Sequence, residues 1–215
     1  MNLKICSYTE QLLNWPQNGR HILAQYDDES IVVYQAYSAK IGNFAASKGY
    51  FGGAFSYTRM SWIKPNFLWM MYRSGWGTKP GQEIILAVRI PTKFFDEILE
   101  KAVPSTFKST LFQSQDEWKQ ALNNSEVRLQ WDPDHFPNGE RTERRAIQLG
   151  LRGSILEKYG KKPLEVTDIS SFVSEQRKNA NPNKYSELKT PFEEVYIPNS
   201  KGAVKNIFLS SLQNS

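Results

Sequence analysis

Apolar positions along the chain recur with two different periods, and the period in each segment predicts either a strand or a helix. Runs that are β-branched, or that alternate between apolar and polar residues, predict strands when turn-forming residues bound them. These runs cover residues 21–26, 30–34, 54–58, 83–90, 127–131, 164–169 and 195–197. The run at 83–90, EIILAVRI, is the clearest candidate for a buried strand.

Helices are predicted where apolar residues recur every three or four positions. The segments with this spacing are 36–47, 65–73, 92–102, 142–159 and 170–178. Ser114 and Glu117 form a capping box that predicts one more helix start. The segment 142–159 gives the longest helix, although Gly150 and Gly153 either weaken it or mark a close approach of another element.

Strands and helices are mixed without a regular strand-helix-strand rhythm, which favours an α+β fold. We expect a mixed or mainly antiparallel sheet with helices packed against it. A chain of 215 residues can bury a core without disulfides or metal, so one domain over residues 1–215 is the default. The polar segment 179–190 is predicted to be a loop.

The chain is basic, with a net charge of +5 from 27 basic and 22 acidic residues. This balance permits a nucleic-acid or other polyanionic partner, but the sequence has no long block of like charges that would make such a partner specific. The single cysteine, Cys6, fits a reducing compartment. No apolar run approaches the roughly 20 residues that span a bilayer. We therefore expect a cytoplasmic protein without a membrane partner.

Several familiar catalytic and binding motifs are absent from the sequence. There is no G-x-x-x-x-G-K-[ST] phosphate loop and no G-x-G-x-x-G. A Ser-His-Asp triad is not excluded by counting, but no G-x-S-x-G elbow is present. With one cysteine and two histidines, a structural zinc site is not expected, and we predict no metal.

The segment 55–76, FSYTRMSWIKPNFLWMMYRSGW, combines large rings, cations and small hydroxyls. Trp62, Lys64 and Arg73 belong to it. Such a mixture suits a site that stacks a planar ligand and binds a phosphate. The alternative is a dense aromatic core whose charged ends reach solvent. Arg73 near a predicted helix C-terminus also has a simpler explanation, a favourable interaction with the helix dipole.

Four segments of the chain resemble the signatures of one uncharacterised family found in bacteria and fungi. They are VVYQAYS at 32–38, SYTRMSWIKPNFLWMMYRSGWG at 56–77, LQWDPDH at 129–135 and RRAIQLGLRG at 144–153. The resemblance covers nearly the whole chain, and the second and fourth segments are highly specific. Because the family is a domain of unknown function, membership implies no chemistry.

The order of the elements also resembles that of the ADP-ribosyltransferases. Those enzymes begin with a strand ending in Tyr-Arg or Tyr-His, followed by a helix and a strand with a Ser-Thr-Ser-like triplet. Another helix, a hydrophobic strand and a late strand with a catalytic glutamate come next. Here Tyr34 and Gln35 stand in the first position, 56–58 stands for the triplet, and Glu193 lies in the late strand. Gln35 departs from the usual Arg or His, and Tyr57 interrupts the triplet.

This second resemblance implies a split sheet and NAD as the cofactor. The residues that would bind NAD are Tyr34, Gln35, Ser56, Tyr57, Trp62 and Lys64. Glu193 and Arg59 would be catalytic: the carboxylate would stabilise positive charge on the ribose, and the guanidinium would neutralise the pyrophosphate. Glu126 and Glu194 are rival positions for the carboxylate.

Four residues are candidates for binding a substrate or an anion, namely Arg73, Asp134, His135 and Arg145. Arg144 and Arg145 lie in the first turns of the predicted helix, where cations are mildly unfavourable. Their position indicates an anion or a carboxylate partner, for which Asp132 and Asp134 are candidates. The segment 132–135 has the residue types for a metal site, but a solvated turn held by Asx hydrogen bonds is the favoured alternative.

These features predict an NAD-dependent ADP-ribosyl transferase or glycohydrolase that binds a nucleotide ligand, with nucleic acid as a candidate substrate. Two alternatives stay open. A nucleic-acid-binding or RNA-processing protein without NAD chemistry would lose affinity steeply as salt rises. A small-ligand or partner-binding module would instead show a closed apolar pocket without convergent charges. The sequence does not fix the oligomeric state.

Overall fold

Most strands form at the β-branched and alternating runs of the sequence. The computed structural model describes residues 2–207. Its strands are β1 (Ile5–Ser7), β2 (Gly19–Arg20), β3 (Ile22–Ala24), β4 (Ser30–Tyr37), β5 (Ser61–Ile63), β6 (Ile84–Pro91), β7 (Ala102–Pro104), β8 (Val127–His135), β9 (Arg141–Leu151), β10 (Glu165–Asp168), β11 (Lys189–Pro191) and β12 (Glu194–Tyr196).

Some of the described helices begin at a side chain that accepts one of their first N–H groups. The helices are α1 (Tyr8–Asn14), α2 (Ala39–Lys48), α3 (Phe67–Ser74), α4 (Thr92–Glu100), α5 (Gln115–Asn124), α6 (Gly153–Lys161), α7 (Ser170–Arg177) and α8 (Lys201–Ile207). Ser114 caps α5 by accepting the Glu117 N–H at 3.1 Å, as its sequence pattern predicts. No helix within the described residues is long and apolar enough to cross a membrane.

Two sheets carry most of the described strand pairs. The first has the order β10-β6-β4, and both of its pairs are antiparallel. The second has the order β2-β9-β8-β7, with β5 added to β9. In it β8–β9 and β5–β9 are antiparallel, while β2–β9 and β7–β8 are parallel. The prediction of an α+β fold with a mainly antiparallel sheet is confirmed.

An isolated bridge between β4 and β5 joins the backbones of the two sheets. Tyr34 and Lys64 form an isolated antiparallel bridge, with N–O distances of 2.7 and 3.2 Å in its two backbone hydrogen bonds. Beyond this bridge β4 continues along β6, and β5 continues along β9. The strands therefore separate after the bridge, and a cleft opens between them.

Helix α3 packs beside this junction. Its buried side chains include Phe67, Met70 and Met71, which join a hydrophobic cluster with Tyr34 and Ile85. The helix ends at a left-handed glycine, and its last turn carries a cation toward the cleft. The predicted helix at 65–73 is confirmed, so half of the aromatic segment is core.

The largest departure from the sequence prediction is the segment 142–159, which is not one helix. Its first part belongs to β9, and α6 starts at Gly153. A long partner strand, β8, pairs with β9 from Val127↔Leu151 to His135↔Arg141. Buried positions occur on both faces of β9, so the apolar residues did not distinguish a strand from a helix.

A second correction concerns 54–58, where an extended piece was expected. These residues form turns, and the strand of this region starts later, at β5. Gly53 has a positive φ of 60° next to the segment, which suits a turn better than a strand. The phenyl ring of Phe55 is nevertheless buried, and its apolar character produced the prediction.

We expect Gly42→Ala to destabilise the protein. Helix propensity alone predicts a gain of about 1 kcal/mol, but a Cβ at Gly42 would overlap the Cβ of Ile84 on β6. Such overpacking costs about 1–3 kcal/mol. Urea unfolding measures the change, and Lys40→Ala on the exposed face of α2 is the control, with a change within about 0.5 kcal/mol. A Gly42→Ala protein more stable than wild type would contradict the packing of α2 on β6.

Candidate functional site

The cleft between β4 and β5 has a volume of about 420 Å³. Helix α3 and the loop before β6 close one side, and the sheet of β8 and β9 closes another. Its lining residues are Gln35, Ala36, Tyr37, Met60, Ser61, Trp62, Lys64, Met70, Arg73, Gln82, Gln130 and Gln148. Polar side chains predominate among them.

Amide side chains on neighbouring strands form part of the cleft wall. Gln130 and Gln148 are directly paired in the β8–β9 ladder, so their side chains lie on the same face. The Gln148 amide nitrogen donates to Gln130 Oε1 and to Asp132 Oδ2, both at 2.7 Å. The Asp132 carboxylate is thus connected to the cleft by its hydrogen bond from the Gln148 amide. Burial raises the pKa of the Asp132 carboxyl, although Gln148 and the Lys64 ammonium oppose the shift.

Gln35 joins the two strands just past their bridge. Its amide nitrogen lies 2.8 Å from Ser61 Oγ, 2.9 Å from Tyr37 Oη and 3.2 Å from the Trp62 carbonyl. Its oxygen accepts from the Tyr159 hydroxyl at 2.8 Å. Only 2% of Gln35 is exposed. Its amide hydrogen bonds therefore fix the positions of the groups at the inner end of the cleft.

Lys64 is the cation at the back of the cleft. It is 4% exposed, and its ammonium makes no hydrogen bond or ion pair within the described residues. Burial, and to a smaller degree the guanidinium of Arg73, lower the pKa of Lys64 to about 8, while the carboxylate of Asp132 acts in the opposite direction. The ammonium therefore remains mostly protonated at neutral pH without a direct counter-ion.

Trp62 and Arg73 supply a ring and a second cation. Trp62 is half-buried and lies against β9 at Gly150, where a Cβ would approach the indole ring to 3.0 Å. Arg73 is exposed on the last turn of α3. The cleft thus combines an aromatic ring, two cations, a serine hydroxyl and several amides. Chemically, this set can stack a planar group and bind an anion.

The family model described as a domain of unknown function, DUF4291, matches residues 21–196 of the chain. The chain belongs to this family. The matched region contains every residue that lines the cleft. No curated protein matches the chain.

In this DUF4291 chain, the predicted hydroxyl triplet lies outside the cleft. Ser56 is exposed and its hydroxyl is 2.9 Å from that of Thr58, while the Tyr57 hydroxyl donates to the Phe51 carbonyl at 2.7 Å. Arg59 is also exposed and does not line the cleft. The hydroxyl that does line it is Ser61, on β5.

Tyr34 is at the bridge but points into the core. It is fully buried, and its ring packs edge-on against Phe67 with centroids 5.5 Å apart. Of the six residues predicted to bind the cofactor, the structure brings Gln35, Trp62 and Lys64 to the cleft. Ser61, Gln130 and Gln148 were missed, and only a correct prediction of β9 could have revealed the two glutamines as neighbours.

Glu193 lies at the start of α3 rather than in the cleft. Its carboxylate accepts from the Phe67 N–H at 2.6 Å and from the Asn66 side-chain amide at 3.3 Å. Burial raises the pKa of Glu193 well above its usual value, and the Phe67 N–H acts against that shift. The carboxyl group therefore satisfies donors at a buried helix N-terminus.

The remaining anion-binding candidates also lie outside the cleft. Asp134 forms a buried ion pair with Arg144, with its Oδ2 2.6 Å from Nη2 and 2.7 Å from Nε. The carboxylate partner expected for Arg144 is thus Asp134, although both residues lie on strands. Arg145 is exposed and faces Arg20 across the β2–β9 ladder.

His135 is enclosed in an aromatic stack. Its ring is nearly parallel to those of Trp69 and Tyr72, with centroids 5.3 and 3.4 Å away. Neither ring nitrogen has a hydrogen-bond partner within the described residues. Burial lowers the pKa of His135, so the imidazole is kept neutral. Those residues also contain no group of three or more His, Cys, Asp and Glu side chains that could hold a metal ion.

We expect Glu193→Ala to lower the free energy of unfolding by about 1–3 kcal/mol, because the buried Phe67 N–H and Asn66 amide lose their acceptor. Denaturant titration measures the loss. Glu194→Ala is the matched control, since Glu194 is exposed and adjacent, and its change should stay within about 0.5 kcal/mol. Equal stability of the two variants would show that Glu193 does not cap α3.

The two histidines of the chain give a direct pH test. Burial lowers the pKa of both His21 and His135 from the ordinary value of 6.5. The unfolded chain then binds protons at a higher pH than the folded protein, so stability falls as pH drops below about 6.5. NMR titration of ¹³C-labelled histidine, with His21→Gln for assignment, should show both imidazoles titrating below 6.5. A His135 signal that titrates above this value would contradict the enclosed stack.

Proposed function

We propose that the cleft binds NAD or a closely related nucleotide, and that the protein is an NAD-using ADP-ribosyl transferase or glycohydrolase of the cytoplasm. The observation that carries the proposal is Lys64, a buried cation without a direct counter-ion, facing a polar cleft beside Arg73. A cation that is largely withdrawn from water and lacks a counter-ion favours an anionic ligand.

A pyrophosphate fits these two cations. It carries two adjacent charged groups, and Lys64 and Arg73 approach the cleft from β5 and α3. Lysine acts as a compact point charge, whereas the guanidinium of arginine can bind two phosphate oxygens at once. The indole of Trp62 supplies a face for a planar ring, and the amides of Gln130 and Gln148 can bond to a base or ribose.

The order of the elements around the cleft supports the NAD chemistry. A strand that ends near Gln35 is followed by a helix, a short strand with Ser61, another helix and a hydrophobic strand. This is the order that suggested an ADP-ribosyltransferase. The hydroxyl comes from Ser61, however, and the carboxylate expected from Glu193 must come from elsewhere.

Asp132 is the carboxylate that the amide network connects to the cleft. In the proposed reaction, nicotinamide leaves with the electron pair of its bond to C1′ of the ribose, and positive charge develops on the sugar. A carboxylate stabilises such charge. Water or another acceptor then forms the new bond to C1′, and Asp132 takes the proton that the acceptor loses.

We expect Lys64→Met to weaken NAD binding at least about tenfold, because a charge-assisted hydrogen bond is worth about 1.5–3 kcal/mol. The wild-type affinity should fall as pH rises through about 8, since the Lys64 ammonium then loses its proton. The Met variant should show no such fall. Calorimetry from pH 7 to 9 measures both effects.

Lys162→Met is the control, because Lys162 is exposed at the end of α6. Replacing a buried charge with an apolar residue is often neutral for stability, so Lys64→Met should fold. Chromatographic detection of released nicotinamide tests the chemistry, and Asp132→Asn should reduce the release. No NAD binding by the wild-type protein at any pH in this range would reject the proposal.

A further inference from the structure

Two amide side chains on the cleft wall, those of Gln130 and Gln148, are hydrogen-bonded in one direction. The nitrogen Nε2 of Gln148 lies 2.7 Å from Gln130 Oε1 and 2.7 Å from Asp132 Oδ2. A primary amide nitrogen has two hydrogens to donate, so both N–H groups of Gln148 are used in these two bonds. The amide oxygen of Gln148 and the amide nitrogen of Gln130 take no part in them.

The carboxylate of Asp132 fixes this direction. An ionised carboxylate only accepts hydrogen bonds, so the Gln148 atom that contacts it must be the nitrogen and not the oxygen. The same nitrogen contacts Gln130, and the Gln130 atom that receives the second N–H must therefore be an oxygen. Turning either amide over would bring two acceptors or two donors together. One carboxylate thus sets the orientation of both amides.

One donor and one acceptor of the amide pair are left for a ligand. Gln148 Oε1 and Gln130 Nε2 have no hydrogen-bond partner within the described residues, and both atoms remain accessible. Both residues line the cleft. They are directly opposite each other in the β8–β9 ladder, so their side chains are neighbours on one face of the sheet. The cleft wall therefore offers an acceptor beside a donor.

A primary carboxamide is the complement of this pair. Its N–H can donate to Gln148 Oε1 while its carbonyl oxygen accepts from Gln130 Nε2. A carboxylate of the same shape presents two acceptors, so one of its oxygens would face Gln148 Oε1 without a hydrogen between them. A site whose polar groups are left unpaired by a ligand discriminates strongly against that ligand.

The charge of the cleft alone predicts the opposite preference. Lys64 and Arg73 line the same space, and two cations attract a ligand more strongly when it carries one more negative charge. Selection by the amide pair favours the carboxamide, whereas selection by charge favours the acid. The two causes can therefore be told apart by comparing two ligands that differ only in this group.

We infer that Gln130 and Gln148 bind the carboxamide of a nicotinamide group, and that Asp132 is the positioning residue that makes the cleft select the amide over the corresponding acid. The identity of the ligand rests on the proposed function, whereas the orientation of the amide pair does not. The nicotinamide ring of NAD is positively charged, which suits the face of the Trp62 indole and the nearby Asp132 carboxylate.

The test compares NAD with its deamidated form, in which a carboxylate replaces the carboxamide. Calorimetry on the full chain at neutral pH should show that the wild-type protein binds NAD about tenfold to hundredfold more tightly. In Asp132→Asn the new amide can donate as well as accept, so Gln148 is free to turn over and to donate to the acid. The preference should then shrink to about threefold or less, through tighter binding of the acid.

A second variant tests the free donor of the pair. Gln130→Met removes it without a change of charge, so NAD binding should weaken about tenfold. Gln115→Met makes the same change on the exposed surface of α5 and is the matched control. ADP-ribose lacks the nicotinamide group, so its affinity should change by less than about twofold in Gln130→Met. Thermal unfolding of each variant checks that it is folded.

Equal or tighter binding of the deamidated form by the wild-type protein would overturn the inference and leave the proposed function standing. So would a loss of ADP-ribose binding in Gln130→Met as large as that of NAD. An unchanged preference in Asp132→Asn would overturn the positioning role.

Free nicotinamide and nicotinate test the amide pair without the nucleotide. Saturation-transfer NMR on the full chain compares the two at equal concentration, with Gln130→Met as the reference. If NAD does not bind, a signal for nicotinamide that is lost in Gln130→Met would support the carboxamide site although the proposed function fails. If neither NAD nor nicotinamide binds, both are overturned.

Discussion

Two hydrogen bonds between the backbones of Tyr34 and Lys64 join the two sheets at the point where they separate. The rest of the site depends on this bridge. Because β4 follows β6 and β5 follows β9 from here on, the strands diverge and leave a space that side chains must fill or line. The side chain of Lys64 enters that space, while Tyr34 fills the core behind it. A regular ladder between β4 and β5 would have closed the cleft.

Helix α3 links the bridge between β4 and β5 to the segment that contains Glu193. Its N-terminus is buried, so its first N–H groups need acceptors, which Asn66 and Glu193 supply. Glu193 lies between β11 and β12, which pair with β1 and β3. The late glutamate thus acts at one end of the helix, and Arg73 lines the cleft at the other. The same helix therefore contributes to the hydrophobic core and to the lining of the cleft.

The sequence predicted the residues that carry local signals. Trp62, Lys64 and Arg73 followed from the unusual mixture of rings and cations in one segment, and the helix at 65–73 followed from its spacing. The family could be recognised from four motifs. Of the rival positions Glu193 and Glu194, the first is buried and the second is exposed.

Residues that meet only through long-range pairing could not be predicted. Gln130 and Gln148 become neighbours because β8 pairs with β9, and the apolar positions of β9 fit a helical period as well as a strand. The prediction of a helix at 142–159 also placed Arg144 on a helix. The carboxylate partner that was expected for it is nevertheless present, as Asp134. Hydrophobic periodicity is read from one segment at a time, whereas the residues that share a face of a sheet depend on how two strands pair.

The two buried cations Arg144 and Lys64 differ in whether their charge is paired within the described residues. Arg144 is buried with Asp134 bonded to it, and its third contact is the Pro16 carbonyl at 2.7 Å, so its charge is satisfied within the fold. Lys64 is equally buried, yet its nearest opposing charge, Asp132, forms no ion pair with it. A fold that can pair one buried cation this well gains nothing in stability from leaving the other unpaired. The unpaired ammonium is the observation on which the proposed anion-binding role of the cleft rests.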